Sequence, residues 1–400
     1  MTIGIGGSTW DRELEALQPL PEPPQSIAAT ELEARMERAR ALMRAAGMQA
    51  MLIGAGTSLR YFTGVGWPGT ERLVAMLLPV NGTPMMICPA FECESLQASL
   101  QIDAELRLWQ EDEPSAALVV TTAREMGVET LGFDPALPFL VFSKVAAMAR
   151  NMTIVDAAPV VDGCRSIKSA AELACLQYAK SLTLEVHRRA ARILRPGITT
   201  TEVRRFIEAA HRKAGADNGS YFCAVQFATA SAYPHGVPGE QALADGDLVL
   251  IDTGCQFAGY HSDITRTYVF GEPTETHRRI WAIEHEAQAA AFAAVRPGIA
   301  CEHIDQVARD VLERYGLGPN YMLPGLPHRT GHGIGLSIHE GPYLVRGDKT
   351  PLAPGMCFSN EPMIVIPDQF GIRLEDHFYV TDDGARWFTR PSASIDRPFS

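Results

Sequence analysis

Apolar and polar positions change period repeatedly along the first third of the chain. From Glu31 to Ala46 an Ala-, Glu- and Arg-rich stretch carries its apolar residues at helical spacing and stops at Gly47; Ala50–Ile53 is then an apolar run short enough for a buried strand. Leu73–Pro79 and Pro84–Cys88 flank Asn81-Gly82, a dipeptide that favours tight hairpin turns. A helix over Ala116–Met126 and strands near Thr130–Phe133 and Thr153–Val155 complete an α/β pattern. The Pro- and Gly-rich Met1–Ser26 has little periodicity and predicts an arm, irregular or only locally helical. Val161–Glu172 reads as a junction, with Ser169 placed to cap a helix over Ala170–Leu194. The expected division is residues 1–165 for the arm and α/β domain, and 166–400 for an α+β domain.

The second domain repeats itself. Arg195-Pro196-Gly197-Ile198 recurs as Arg296-Pro297-Gly298-Ile299, and Leu243-Ala244-Asp245-Gly246 has a counterpart in Leu352-Ala353-Pro354-Gly355. Each half reads helix, turn, helix, hairpin, which predicts a duplicated half-domain with a pseudo-two-fold axis. A site on that axis collects side chains from both halves.

Carboxylates recur at matching places. A turn at Phe257-Ala258, pairing Gln256 with Gly259, sets Asp252 directly opposite Asp263. In the second half a turn at Pro367-Asp368-Gln369, pairing Ile366 with Phe370, sets Glu361 opposite Glu375. Like charges facing each other across strands are destabilising unless a cation or a shared proton lies between them. His332, in Thr330-Gly331-His332-Gly333-Ile334-Gly335, adds an imidazole whose flanking glycines permit close backbone approach. Hard oxygen donors with one imidazole suit a pair of divalent cations, Mn²⁺ first, with Co²⁺ or Zn²⁺ as alternatives.

Charge and cysteine usage narrow the class. A formal net charge of −12 without basic clusters argues against a nucleic-acid surface. No apolar stretch is long enough for a membrane span, and no secretory leader is legible at the start. Eight scattered cysteines without a CxxC pair read as free thiols, so a cytoplasmic protein is expected.

The segments Ile251–Thr267, Thr330–Glu340, Ser359–Pro362 and Gly371–Asp376 resemble the metal-binding motifs of the pita-bread metallopeptidases, the group of prolidase, aminopeptidase P, methionine aminopeptidase and the metal-free creatinase. The resemblance implies a creatinase/prolidase-like N-terminal α/β domain and a pita-bread catalytic domain. It also implies five metal ligands, Asp252, Asp263, His332, Glu361 and Glu375; all are present, unlike in creatinase. By the same resemblance His235 and His339 contact the substrate near the scissile bond, His328 is a further active-site histidine, and Arg373 supports the site or substrate. The activity implied is Xaa-Pro dipeptide hydrolysis by a metal-bridging hydroxide, with Glu361 as general base and acid, in a homodimer. One departure stands out: Val365 occupies a position where many relatives carry Tyr. Trp67 is a weaker candidate for a cross-subunit contact. Aminopeptidase P, a small-amide hydrolase of the ectoine type and a noncatalytic binding protein are the rival readings.

Overall fold

The structure, a computed structural model, describes residues 2–399. It forms two compact units, one from Ser26 to Arg165 and one joining the chain up to Gln25 with everything from Ser166 onward.

In the Ser26–Arg165 unit, β1 (Ala50–Gly54), β2 (Ala75–Pro79), β3 (Met85–Pro89), β4 (Glu105–Trp109), β5 (Thr130–Phe133) and β6 (Thr153–Asp156) make one sheet, ordered β4-β3-β2-β1-β5-β6. The expected hairpin is β2–β3, antiparallel with Ala75 opposite Ile87. β1 and β2 are buried at every position, which is why they read as apolar runs without alternation. Helix Ala29–Ala45 turns Leu32, Met36, Ala39 and Met43 inward at helical spacing.

The arm departs from the grouping expected of it. Its backbone bonds to the other unit, from Gly6 N–H to Ala191 O and from Ile3 N–H to Asp396 O. Its short helix, Trp10–Ala16, precedes a buried Leu17, and Trp10 meets Phe206 edge-on at 5.2 Å. Ile5, Trp10, Leu14 and Leu17 pack with the core that helices Ala170–Arg192 and Thr200–Ala214 build, so the arm shields apolar surface there from water.

The larger unit carries the repeat. Its first half pairs helices Ala170–Arg192 and Thr200–Ala214 with β7 (Ser220–Phe227), β8 (Leu248–Phe257), β9 (Tyr260–His261) and β10 (Ile264–Val269). The second pairs helices Glu275–Ala294 and Cys301–Arg314 with β11 (Gly331–Gly333), β12 (Glu340–Leu344), β13 (Cys357–Asn360), β14 (Met363–Ile366), β15 (Phe370–Arg373), β16 (Asp376–Val380) and β17 (Ala385–Trp387). Sheet orders are β10-β8-β7, with β9 on β8, then β12-β11-β13-β16-β17 and β14-β15. The repeated motifs make the same bonds in both halves. Gly197 N–H meets Leu243 O and Leu243 N–H meets Ile198 O; Gly298 N–H meets Leu352 O and Leu352 N–H meets Ile299 O. Local sequence chemistry sets the helix ends: Ser169 with Glu172, and Thr199 with Glu202, form capping boxes.

The two hairpins answer the register expectations differently. β14–β15 has the expected pairing, Ile366 opposite Phe370, and the same register continues where Asn360 faces Asp376. Glu361 and Glu375 fall in the gap between these ladders, because their amides turn away to Thr330 O and Thr265 O. In the first hairpin the turn is Ala258-Gly259, with Phe257 opposite Tyr260 and Asp252 opposite Thr265 rather than Asp263. Both turn residues have positive φ, as a two-residue primed turn requires, and the Asp217 carboxylate accepts both their N–H groups. The register therefore differs by two residues. Side chains alternate with period two, so Asp252 and Asp263 keep a common face but sit diagonally.

Behind this hairpin Arg266 grips Asp376 with both Nη atoms, at 2.7 and 3.2 Å, and its Nη1 also donates to Glu375 O; both side chains are essentially unexposed. Arg266→Met strands a buried carboxylate, so urea unfolding is expected to show a loss of about 3–5 kcal/mol.

Candidate metal centre

Candidate ligand atoms converge from both halves. Asp252 projects from β8, Asp263 from the break between β9 and β10, His332 from β11, and Glu361 and Glu375 from the paired gaps of the second hairpin. Donor atoms of Asp252, Asp263 and Glu375 lie within 4.8 Å of one another, as do those of His332, Glu361 and Glu375, and those of Asp263, His332 and His339. His332 Nε2 is 3.2 Å from Glu361 Oε1 and 3.7 Å from Asp263 Oδ2. The glycines beside His332 are a steric need: a Cβ on Gly331 would stand 2.1 Å from Ser359 O, and one on Gly333 2.4 Å from Glu340 O.

The electrostatics call for a cation. Burial, reinforced by Glu375, Asp252 and Glu361, pushes the Asp263 carboxyl well above its usual range; burial, with Glu361 and Asp252, does the same to Glu375. Burial also raises Asp252, although Arg373 pulls against it. Glu361 goes the other way: burial would raise it, but the hydrogen bond and charge of His332 leave it below the ordinary range. Asp252 Oδ1, Asp263 Oδ1 and Glu375 Oε1 are buried without a hydrogen-bond partner. Buried carboxylate oxygens with free lone pairs, crowded by like charge and joined by one imidazole, fit divalent metal ions.

The other sequence-predicted residues surround a cavity of about 720 Å³ lined by His235, His328, His339, Arg373 and the five candidate ligands. His235 and His339 are exposed at its walls, and the His339 ring packs against His332 at 4.2 Å between centroids. Partial desolvation by the cavity walls, with His332 and Arg329 adding to it, lowers His339 to about 4. His328 Nδ1 lies 2.7 Å from Arg329 O, so Nδ1 carries the proton and the buried Nε2, which has no partner, is an acceptor. Arg373 donates to Asp252 Oδ2 at 2.5 Å and to Thr265 Oγ1 at 3.0 Å. Val365 is buried in β14 and bonds Gly325 through its backbone, so it brings no hydroxyl to the cavity; the phenol lining it is Tyr221. Trp67 is half-buried in the Ser26–Arg165 unit.

Sequence reasoning passed over three contributors. Thr265 Oγ1 donates to Glu375 Oε2 at 2.9 Å and so links Arg373 to that ligand. Ser359 Oγ donates to Glu361 Oε1 and accepts the His332 N–H. Arg329 lines the cavity. Thr265 alternates with Asp263 on one strand face, a signal that could have flagged it.

A ring of carboxylates around one imidazole, gathered on the axis of a duplicated half-domain, defines the pita-bread class of metal-dependent hydrolases. Residues 174–382 match metallopeptidase family M24 and residues 35–167 match the creatinase/prolidase N-terminal domain; the chain belongs to that metallopeptidase family. It is 36% identical over 356 residues to the probable dipeptidase PepE of Mycobacterium tuberculosis, covering 88% of this chain and 92% of the relative. The crystal structure of dipeptidase PepE from Mycobacterium ulcerans superposes with a TM-score of 0.83 at 33% identity, covering 92% of this chain and 98% of that one. A Thermococcus sibiricus prolidase gives 0.82 at 30%, covering 90% and 96%. The Xaa-Pro dipeptidase of Bacillus anthracis gives 0.80 at 30%, covering 90% and 98%. The protein is a prolidase-like peptidase of a family that works with two metal ions. Six of the eight cysteines are buried, and no helix among the described residues is long and apolar enough to cross a membrane.

Buried imidazoles elsewhere in this unit make folding sensitive to acid. Burial holds His187 at about 3, with its Nε2 2.9 Å from Ile264 O. This folded value lies below the unfolded 6.5, so the ring's contribution is complete above pH 6.5 and is lost as pH falls from there towards 3. His187→Gln is expected to make the dependence of unfolding free energy on pH shallower, by about 1.4 kcal/mol per pH unit between pH 6 and 4. Parallel profiles for the two proteins would contradict that assignment.

Proposed function

We propose that the protein hydrolyses the bond preceding proline in Xaa-Pro dipeptides and releases free proline. The observation that carries the reading is the cavity itself. Five candidate metal ligands open into a space lined also by His235, His328, His339 and Arg373 and by Tyr221, Phe222, Pro234, Pro327 and Ile338. That mixture suits a small peptide bearing an apolar ring. Relatives and structural neighbours named as dipeptidases, prolidases and Xaa-Pro dipeptidases support the substrate class.

Asp252, Asp263, His332, Glu361 and Glu375 would hold two cations, Mn²⁺ by preference for this donor set. When bound, these lower the pKa of water and polarise a carbonyl. Glu361, ionised and oriented by Ser359, takes a proton from the attacking water and passes it to the proline nitrogen as that bond breaks. His235 and His339 stand at the wall where a carbonyl oxygen gains charge, and they stabilise it. His328 offers its bare Nε2 to an N–H of the leaving amine. Arg373 is a positioning residue: it clamps Asp252 and, through Thr265, Glu375. Following the family resemblance, the reading extends to a homodimer in the cytoplasm. Metal-stripped protein should release no proline from Ala-Pro and regain activity with Mn²⁺; proline release unaffected by chelation would overturn the reading.

A further inference from the structure

Two guanidinium groups line the cavity, and they are not equivalent. Arg373 is committed to Asp252, Thr265 and Pro234 O. Arg329 has no carboxylate or carbonyl on its guanidinium among the described residues; its cation instead lies over the Tyr343 ring, 4.5 Å from the centroid. Tyr343 is the cross-strand partner of His332, so the two side chains leave β11 and β12 on the same face. Stacking on an aromatic face holds a guanidinium plane and leaves its N–H edge free to form two parallel hydrogen bonds with a carboxylate.

We propose that Arg329 is the subsite for the free carboxylate of the substrate's C-terminal residue, and thereby a determinant of dipeptide length. The inference rests on the dipeptidase reading and names the residue that enforces it. In an Xaa-Pro dipeptide the carboxylate is attached to the carbon beside the scissile nitrogen, so its anchor must lie close to the metal centre. Arg329 meets that condition: it lines the cavity into which the candidate metal ligands open and is three positions before His332 in the chain. The guanidinium thus offers the carboxylate a fixed cation within that cavity. A longer peptide presents a neutral amide where the carboxylate would be, and forgoes the ion pair.

The test is steady-state kinetics of Mn²⁺-loaded wild type, Arg329→Met and Arg329→Lys on Ala-Pro and on its C-terminal amide. The methionine keeps an apolar stem against Tyr343, so its melting temperature should be unchanged. Wild type is expected to favour the free acid. Arg329→Met should raise KM for Ala-Pro about thirtyfold, with little change in kcat and none in either constant for the amide. Lysine keeps the charge without the fork and should restore part of the loss. Equal treatment of acid and amide by wild type, or a parallel change for both substrates in Arg329→Met, would overturn the subsite while leaving the peptidase reading standing. Failure of wild type to cleave Ala-Pro would remove that reading and the subsite with it.

Discussion

Glu361→Gln is expected to fold normally and to release proline from Ala-Pro at least about a thousandfold more slowly than wild type, within the range that general acid–base groups supply. Glutamine keeps an oxygen where a metal is held but cannot accept the proton. The carboxylate is oriented for that task by Ser359 Oγ, which donates to Glu361 Oε1. Proline release in single turnovers, with metal content measured in parallel, separates loss of the proton acceptor from loss of metal. Near-wild-type turnover by a fully loaded variant would remove Glu361 from its role.

Asp263→Asn is expected to act in opposite directions on the metal-free and metal-loaded protein. Burial and the facing Glu375, Asp252 and Glu361 raise the Asp263 carboxyl far above its unfolded value. Its favourable contribution is therefore present at low pH and lost as pH rises through the folded value, so at neutral pH metal-free protein carries the strain of crowded, buried carboxyls. The amide removes one of them, and the melting temperature of the metal-free variant should equal or exceed that of wild type. Wild type at a metal concentration a hundred times Kd gains about 2.7 kcal/mol, and the variant should gain little at the same concentration. Metal binding should also release protons from wild type, since raised carboxyls must ionise to ligate. Calorimetry in buffers of different ionisation enthalpy measures that release.

Much of this architecture was legible because the signals are local. The capped helix after Ser169, the apolar runs of β1 and β2, and the repeated Pro-Gly motifs each carry their instruction within a few residues, and the duplicated hydrogen bonds of Gly197 and Gly298 follow from the last of these. The second hairpin could be registered from its own turn, Pro367-Asp368-Gln369, in which Asp368 takes positive φ. The first could not: Ala258-Gly259 lacks the usual Asn or Asp, and the carboxylate that accepts its N–H groups belongs to the distant Asp217. The two-residue difference still left Asp252 and Asp263 on one face, so the convergence of ligands survived an incorrect pairing. The arm was misassigned because its apolar side chains find their partners far along the chain. Thr265, Ser359 and Arg329 were missed for a related reason, since what a hydroxyl or guanidinium does depends on what folding brings against it.

Metal-stripped protein reloaded with Mn²⁺ and given an equimolar mixture of Ala-Pro and Ala-Pro-Ala, with the products identified over time, separates a dipeptidase from an aminopeptidase. Metal-dependent appearance of free proline from the dipeptide, with the tripeptide left intact, is the result predicted here. Release of Pro-Ala from the tripeptide would contradict the dipeptidase assignment and indicate an aminopeptidase on the same scaffold, and persistence of both substrates would contradict Xaa-Pro peptide cleavage altogether.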